Sequence, residues 1–128
     1  MVEKRVHKRL ALLQKDIYPF EQIGASSCTK VIVSWGSNYH VIQEALEISG
    51  KTDITFIHLK QLYPIQAELK QIAQKARKFV VLECNATGQL AQLLQQEIGI
   101  QIPPSSRWLR YDGVPFAVEE VLELVNTL

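Results

Sequence analysis

The stretch Phe79 to Gln96, FVVLECNATGQLAQLLQQ, is the part of the chain from which the architecture can be read. Phe79, Val80, Val81 and Leu82 form an unbroken apolar run of strand length, which suits a strand covered by helices on both faces. Glu83, Asn85, Thr87 and Gly88 then bring together a carboxylate, an amide, a hydroxyl and a glycine. Leu90, Leu93, Leu94 and Ile98 follow, spaced as one face of a helix. The order is strand, polar turn, helix. In open α/β sheets such turns lie at the carboxyl ends of strands, where helix N–H groups face solvent and ligands or partner chains dock. Capping of the helix by Asn85 or Thr87 is the structural role that suits the same residues.

The same alternation extends in both directions. Upstream, Val31 to Val33 read as a buried strand, Trp35-Gly36-Ser37-Asn38 as a turn, and Val41, Ile42, Ala45, Leu46 and Ser49 as a helix face ending near Gly50. A strand follows from Ile54 to Leu59. Leu62-Tyr63-Pro64 leads into a helix with the stripe Ile65, Leu69, Ile72, Ala73 and Ala76, and Lys75, Arg77 and Lys78 complement its C-terminal dipole end. Downstream, Pro103-Pro104 breaks regular structure, Trp108 to Tyr111 form a short strand, and Asp112-Gly113 turns into a helix carrying Val118, Val121, Leu122 and Val125. Before all of these, Phe20 to Ile23 suggest a short edge strand. Val2 to Gln14 set Val6, Leu10 and Leu13 against Lys4, Arg5, Lys8 and Arg9, an amphipathic helix whose basic side reads as a solvated face.

Strand and helix therefore alternate along one domain, which implies an α/β fold with a mainly parallel sheet between two helical layers. If the winding reverses between the strands ending at Val33 and Leu82, their two polar turns lie side by side at a switch point. That places Gly36, Ser37 and Asn38 of one turn beside Glu83, Asn85, Thr87, Gly88 and Gln89 of the other as the candidate docking surface.

Composition narrows the chemistry. The formal net charge of +1 gives no reason to invoke nucleic acid or an anionic membrane. Cys28 and Cys84 are too few for a zinc or iron–sulfur ligand set and fit a reducing cytoplasm. No apolar run is long enough to span a bilayer, and the basic N-terminus lacks the apolar region of a secretory signal. GxGxxG, GxxxxGK[ST] and GxSxG are all absent. His40 and His58 read as a helix-start and a sheet residue, and Glu83, the best-placed carboxylate, has no nucleophile or acid paired with it in the sequence. No catalytic, cofactor-binding or metal-binding residue is assigned. From the residues alone, a free-standing nucleotide- or anion-binding module is also open.

Five short motifs, taken in order, carry a family resemblance. Val2-Glu3-Lys4-Arg5, Val33-Ser34-Trp35-Gly36-Ser37, Leu62-Tyr63-Pro64, Glu83-Cys84-Asn85-Ala86-Thr87-Gly88-Gln89-Leu90 and Arg110-Tyr111-Asp112-Gly113-Val114-Pro115-Phe116 resemble the C-terminal part of the alpha subunit of 2-oxoacid:ferredoxin oxidoreductases, the 2-oxoglutarate type more than the pyruvate type. Tyr111-Asp112-Gly113 also begins like a thiamine-diphosphate magnesium motif, but it lacks the preceding glycine and is discounted.

The resemblance implies a transketolase C-terminal-domain-like fold, with a five-stranded sheet whose first strand is antiparallel. It implies an enzyme that converts a 2-oxoacid and coenzyme A to acyl-CoA and carbon dioxide while reducing ferredoxin. Thiamine diphosphate, Mg2+ and the iron–sulfur cluster are then held by other parts of the complex, none by this chain. The implied partners are an upstream alpha-subunit domain, a beta subunit and ferredoxin. Residues 1–15 become the link from the upstream domain and 16–128 the domain itself, inactive in isolation. The C-terminal domain of another thiamine enzyme, of transketolase or dehydrogenase beta-subunit type, is the neighbouring alternative.

Overall fold

The strand that carries Phe79 to Leu82 is buried on both sides, as its apolar run requires. In a computed structural model, which describes residues 18–128, this strand runs from Lys78 to Glu83 and is the fourth of five. The strands are β1 (Glu21–Gly24), β2 (Lys30–Trp35), β3 (Ile54–Leu59), β4 (Lys78–Glu83) and β5 (Arg107–Leu109). The helices are α1 (Tyr39–Ser49), α2 (Ala67–Lys75), α3 (Gln89–Ile98) and α4 (Val118–Asn126). The expectation for Val2 to Gln14 lies outside the described residues.

Alternation along the strands separates two cores. Val31, Val33, Ile57, Leu59 and Val81 face α2 and α3, meeting Leu69, Leu90, Leu94 and Ile98. Ile32, Ile54, Phe56, Val80, Leu82 and Trp108 face α1 and α4, meeting Ile42, Ala45, Val121 and Val125. The result is the three-layer α/β/α arrangement. Each fully buried Ile, Leu or Phe contributes about 1.5–3 kcal/mol relative to exposure.

The strand order is β1-β3-β2-β4-β5, with β1 antiparallel to β3 and the other pairs parallel. β2 pairs with β3 on one side and β4 on the other, so the winding reverses there. Val33 pairs with Val81, and Trp35 and Glu83, each two residues further on, end their strands level with one another. The two polar turns start from adjacent strand ends.

Several boundaries differ from the sequence reading, among them β2, which runs on through Trp35, a residue that reads as part of the turn. The edge strand is Glu21–Gly24 rather than Phe20 to Ile23. β5 is Arg107–Leu109 rather than Trp108 to Tyr111, because Arg110 turns aside to pair with Asp112 and Glu120. α2 is shorter than its stripe: Gln66 and Ala76 are extended, with ψ of 135° and 134°. Ile65 and Ala76 lie outside that helix yet still pack on the same core, so they kept the pattern without the helical backbone.

Gly24 sits where β1 meets β3. Its φ is +90°, and a Cβ there would lie 2.5 Å from the carbonyl oxygen of Ile54. Gly50 ends α1 at φ +67° with open space around it. We predict that Gly50→Ala costs about 1–2 kcal/mol from the left-handed backbone alone. Gly24→Ala should cost clearly more, because backbone must also move. Urea unfolding of the two variants side by side measures the difference; equal losses would show that the β1 contact is soft.

Candidate functional site

The organising residue of the site is Glu83, the last residue of β4, which is fully buried at 0% exposure. Its Oε1 accepts from the backbone N–H of Leu90 at 2.6 Å and from Nδ2 of Asn85 at 2.9 Å. Its Oε2 accepts from the N–H of Ala91 at 3.1 Å. Asn85 Oδ1 accepts from the N–H groups of Gly88 at 2.7 Å and Gln89 at 3.1 Å. Gln92 N–H then bonds to Gly88 O, which starts the regular helical ladder. Two side chains thus satisfy every N–H that the start of α3 would otherwise leave unpaired.

This corrects one expectation. The helix N–H groups at this turn do not face solvent, because a carboxylate of the chain itself fills the place an external anion would take. Glu83 and Asn85 are therefore spent on closing the helix, and of the two residues expected to cap it, Asn85 does so while Thr87 leaves its side chain exposed. Gly88 lies between them at φ +65°, with Arg107 Cδ 3.5 Å and Glu83 Oε2 3.7 Å from where a Cβ would stand.

The other turn begins at Ser34, also buried. Ser34 Oγ donates to Leu82 O at 2.9 Å and accepts from Nδ2 of Asn38 at 3.3 Å. Asn38 Oδ1 in turn accepts from Cys84 Sγ at 3.4 Å. The chain Leu82, Ser34, Asn38, Cys84 ties the turns together across β2 and β4. Ser34 and Cys84 were not among the candidate residues; a serine closing an apolar run four residues before an asparagine was the available signal.

Gly36, Ser37, Asn38 and Asn85 come together with Trp35 and Cys84 around a cleft of about 200 Å3. Glu83, Thr87, Gly88 and Gln89 do not line it. The cleft is smaller than the roughly 300–1,000 Å3 usual for a small-molecule site. Ser37 and Thr87 are exposed, and their hydroxyls make no hydrogen bond among the described residues.

The arrangement offers hydrogen bonds rather than chemistry. Cys84 meets an amide, not a base. His40 is exposed in the first turn of α1, and His58 packs edge-on against Tyr39 with ring centroids 4.9 Å apart. Burial pushes the His58 imidazole below its ordinary pKa. Among the described residues no three His, Cys, Asp or Glu side chains are grouped to hold a metal, and the paired turns do not fit a magnesium-bound diphosphate. No described helix is long and apolar enough to cross a membrane.

Glu83→Gln should cost about 1–3 kcal/mol, since an amide nitrogen would replace one acceptor facing the start of α3. Gly88→Val should cost a further about 1–2 kcal/mol or more on its own account, from a β-branched residue at positive φ. Denaturation midpoints check both, and a Glu83→Gln variant as stable as the parent would remove the carboxylate from this role.

No protein-family model matches the chain. It is 31% identical over 108 residues to 2-oxoacid:ferredoxin oxidoreductase 2, subunit alpha, of Aeropyrum pernix, covering 82% of this chain and 16% of that protein. It is 30% identical over 93 residues to 2-oxoglutarate oxidoreductase subunit KorA of Mycobacterium tuberculosis, covering 71% of this chain and 14% of that one. Its fold superposes with a TM-score of 0.83 and 27% identity on the 2-oxoglutarate:ferredoxin oxidoreductase of Magnetococcus marinus, solved with 2-oxoglutarate, coenzyme A and succinyl-CoA bound, over 99% of this chain and 22% of that one. The chain thus spans less than a quarter of the length of each of these three proteins. Its relatives are alpha subunits of 2-oxoacid:ferredoxin oxidoreductases, which it matches over a minor part of their length.

Proposed function

We propose that this chain is a non-catalytic assembly domain of a 2-oxoacid:ferredoxin oxidoreductase, in which the paired turns after β2 and β4 dock against other parts of the enzyme. The observation that carries this is the way the turns use their polar groups. Charge and helix N–H groups are satisfied internally by Glu83 and Asn85, while the neutral hydroxyls of Ser37 and Thr87 remain outside. Short neutral groups can make close hydrogen bonds without the cost of desolvating a charge. The alternative of a nucleotide- or anion-binding module is disfavoured, because the anion position at α3 already holds Glu83.

In this reading the complete enzyme oxidises a 2-oxoacid with coenzyme A to acyl-CoA and carbon dioxide and passes the electrons to ferredoxin. The names of two relatives support 2-oxoglutarate as the substrate. Thiamine diphosphate with Mg2+ supplies the carbanion chemistry and an iron–sulfur cluster the electron path, all on other domains or subunits. This chain contributes residues 16–128 as the docked domain and 1–15 as the link to an upstream alpha-subunit domain. The beta subunit is the second partner, and ferredoxin is reached through the assembled complex. A cytoplasmic setting accords with Cys28 and Cys84 both being free thiols.

Two measurements test the proposal. Ser37→Ala combined with Thr87→Ala should leave the melting temperature unchanged and weaken association with the rest of the enzyme by about 1–3 kcal/mol, the value of two buried hydrogen bonds. Undiminished affinity would rule the docking role out. The chain alone, given 2-oxoglutarate, coenzyme A, thiamine diphosphate, Mg2+ and a ferredoxin substitute, should reduce nothing above a protein-free blank.

A further inference from the structure

β5 is too short to cover the strand beside it. It pairs with Val81 to Glu83 and leaves Lys78 to Val80, the amino half of β4, without a strand on that side. A cavity of about 480 Å3 occupies the gap. Its walls are the end of α2 at Ala73 and Ala76, residues of the segment 101–106 that leads into β5, Trp108 of β5 itself, and the end of α4 at Thr127. It is more than twice the size of the cleft between the paired turns and falls within the roughly 300–1,000 Å3 usual for a small-molecule site. It also lies at the opposite edge of the sheet, away from the start of α3 that Glu83 closes.

The polar side chains around this cavity are donors that lack acceptors. Arg77 makes no ion pair and no side-chain hydrogen bond among the described residues, while its backbone N–H, donating to Thr29 O at 2.8 Å, holds it in place. Lys78 reaches only Thr127 O, at 3.4 Å. Lys30 and Lys51 already serve that end of α4 more closely, so the two lining cations are surplus to it. The hydroxyls of Ser105 and Ser106 and the amide of Gln101 have no partner among the described residues. Trp108 is buried at 8% exposure, and its Nε1 has no acceptor among them either. A buried indole N–H ordinarily finds one. No Asp or Glu lines the cavity, so its side chains carry two positive charges and no negative one.

We propose that this cavity binds a small organic phosphate. A phosphate monoester carries close to two negative charges and three strong acceptor oxygens, which matches two cations set among neutral donors. Arg77 suits it by shape, because a guanidinium can give two parallel N–H bonds to one phosphate, and Lys78 adds a second charge. Ser105 and Ser106 bring hydroxyls from another wall. The carbon skeleton has its own place, since Phe79, Val80, Pro103 and Trp108 supply an apolar lining that inorganic phosphate would leave uncovered. Arg77 and Lys78 are exposed whereas Val80 and Trp108 are buried, so the phosphate sits at the mouth and the skeleton within, where the Trp108 N–H calls for an acceptor on it. The site is independent of the docking role, which uses the other edge of the sheet.

The test uses the 128-residue chain carrying Trp35→Phe, which leaves Trp108 as its single tryptophan. Phenyl phosphate, a monoester with a flat apolar group, should change the Trp108 emission saturably, and inorganic phosphate should compete with it. Benzyl alcohol, which has the ring without the charge, should bind at least about tenfold more weakly. Arg77→Ala and Ser106→Ala should each weaken phenyl phosphate binding at least about tenfold at unchanged melting temperature. Lys75→Ala removes the same charge from the end of α2 outside the cavity and should change the affinity less than about twofold. No saturable change in emission, or benzyl alcohol binding as tightly as phenyl phosphate, would overturn the proposal. Equal losses in Arg77→Ala and Lys75→Ala would overturn it too, because net charge alone would then account for the binding.

Discussion

A buried carboxylate at the start of a helix is the constraint on which the rest of this structure depends. Burying an ion costs several kcal/mol, and Glu83 has no cationic partner within salt-bridge distance among the described residues to offset that cost. Its compensation comes from three N–H donors and the positive end of α3. A hydrogen bond to a charged group contributes about 1.5–3 kcal/mol, and the helix dipole adds about 0.3–2 kcal/mol. The backbone carbonyl of the same residue accepts from Arg110 at 3.0 Å, so Glu83 also holds the chain leaving β5. One residue therefore joins β4, β5 and the α3 layer, and the polar turn follows from where it stands.

The two ends of the sheet are built on different chemistry. At the carboxyl edge, Glu83 and Asn85 are matched internally, while the neutral hydroxyls of Ser37 and Thr87 and the rings of Trp35, Tyr63 and Tyr111 are exposed. At the amino edge, Lys30, Lys51 and Lys78 donate to the carbonyls of Val125, Thr127 and Leu128 where α4 ends. Cations there oppose the negative end of the helix dipole. Lys30 also pairs with Asp53 at 2.7 Å, and that hydrogen bond holds the Asp53 carboxyl below its ordinary pKa. Asp53 is half exposed, so its pairing with Lys30 adds little to the stability of the fold.

What could be read from the residues followed from how strongly burial constrains them. The runs Val31 to Val33, Ile54 to Leu59 and Phe79 to Leu82 sit between two helical layers, so both faces select apolar side chains and the signal is continuous. β1 and β5 are short and lie at the sheet edges, where one side is free and the boundaries drift by a residue or two. Ile65 and Ala76 were misleading for the same reason that they are apolar: the core selects the side chain, and either an extended or a helical backbone can deliver it.

The sequence by itself determined the alternation of strands and helices, the layering, and the presence of two polar turns after β2 and β4, because these follow from periodicity and local turn chemistry. It also carried the family likeness, in five short motifs of which two lie at those turns. Only the tertiary structure decided that the winding reverses between those strands and sets Ser34, Asn38 and Cys84 in one hydrogen-bonded chain. It alone decided that Glu83 turns inward to close α3 rather than outward to meet a ligand. Glu83 and Leu90 are separated along the chain by a turn that could have aimed the carboxylate either way. The choice was made by the position of α3 against the sheet, which offers unpaired N–H groups within the protein where solvent cannot compete for them.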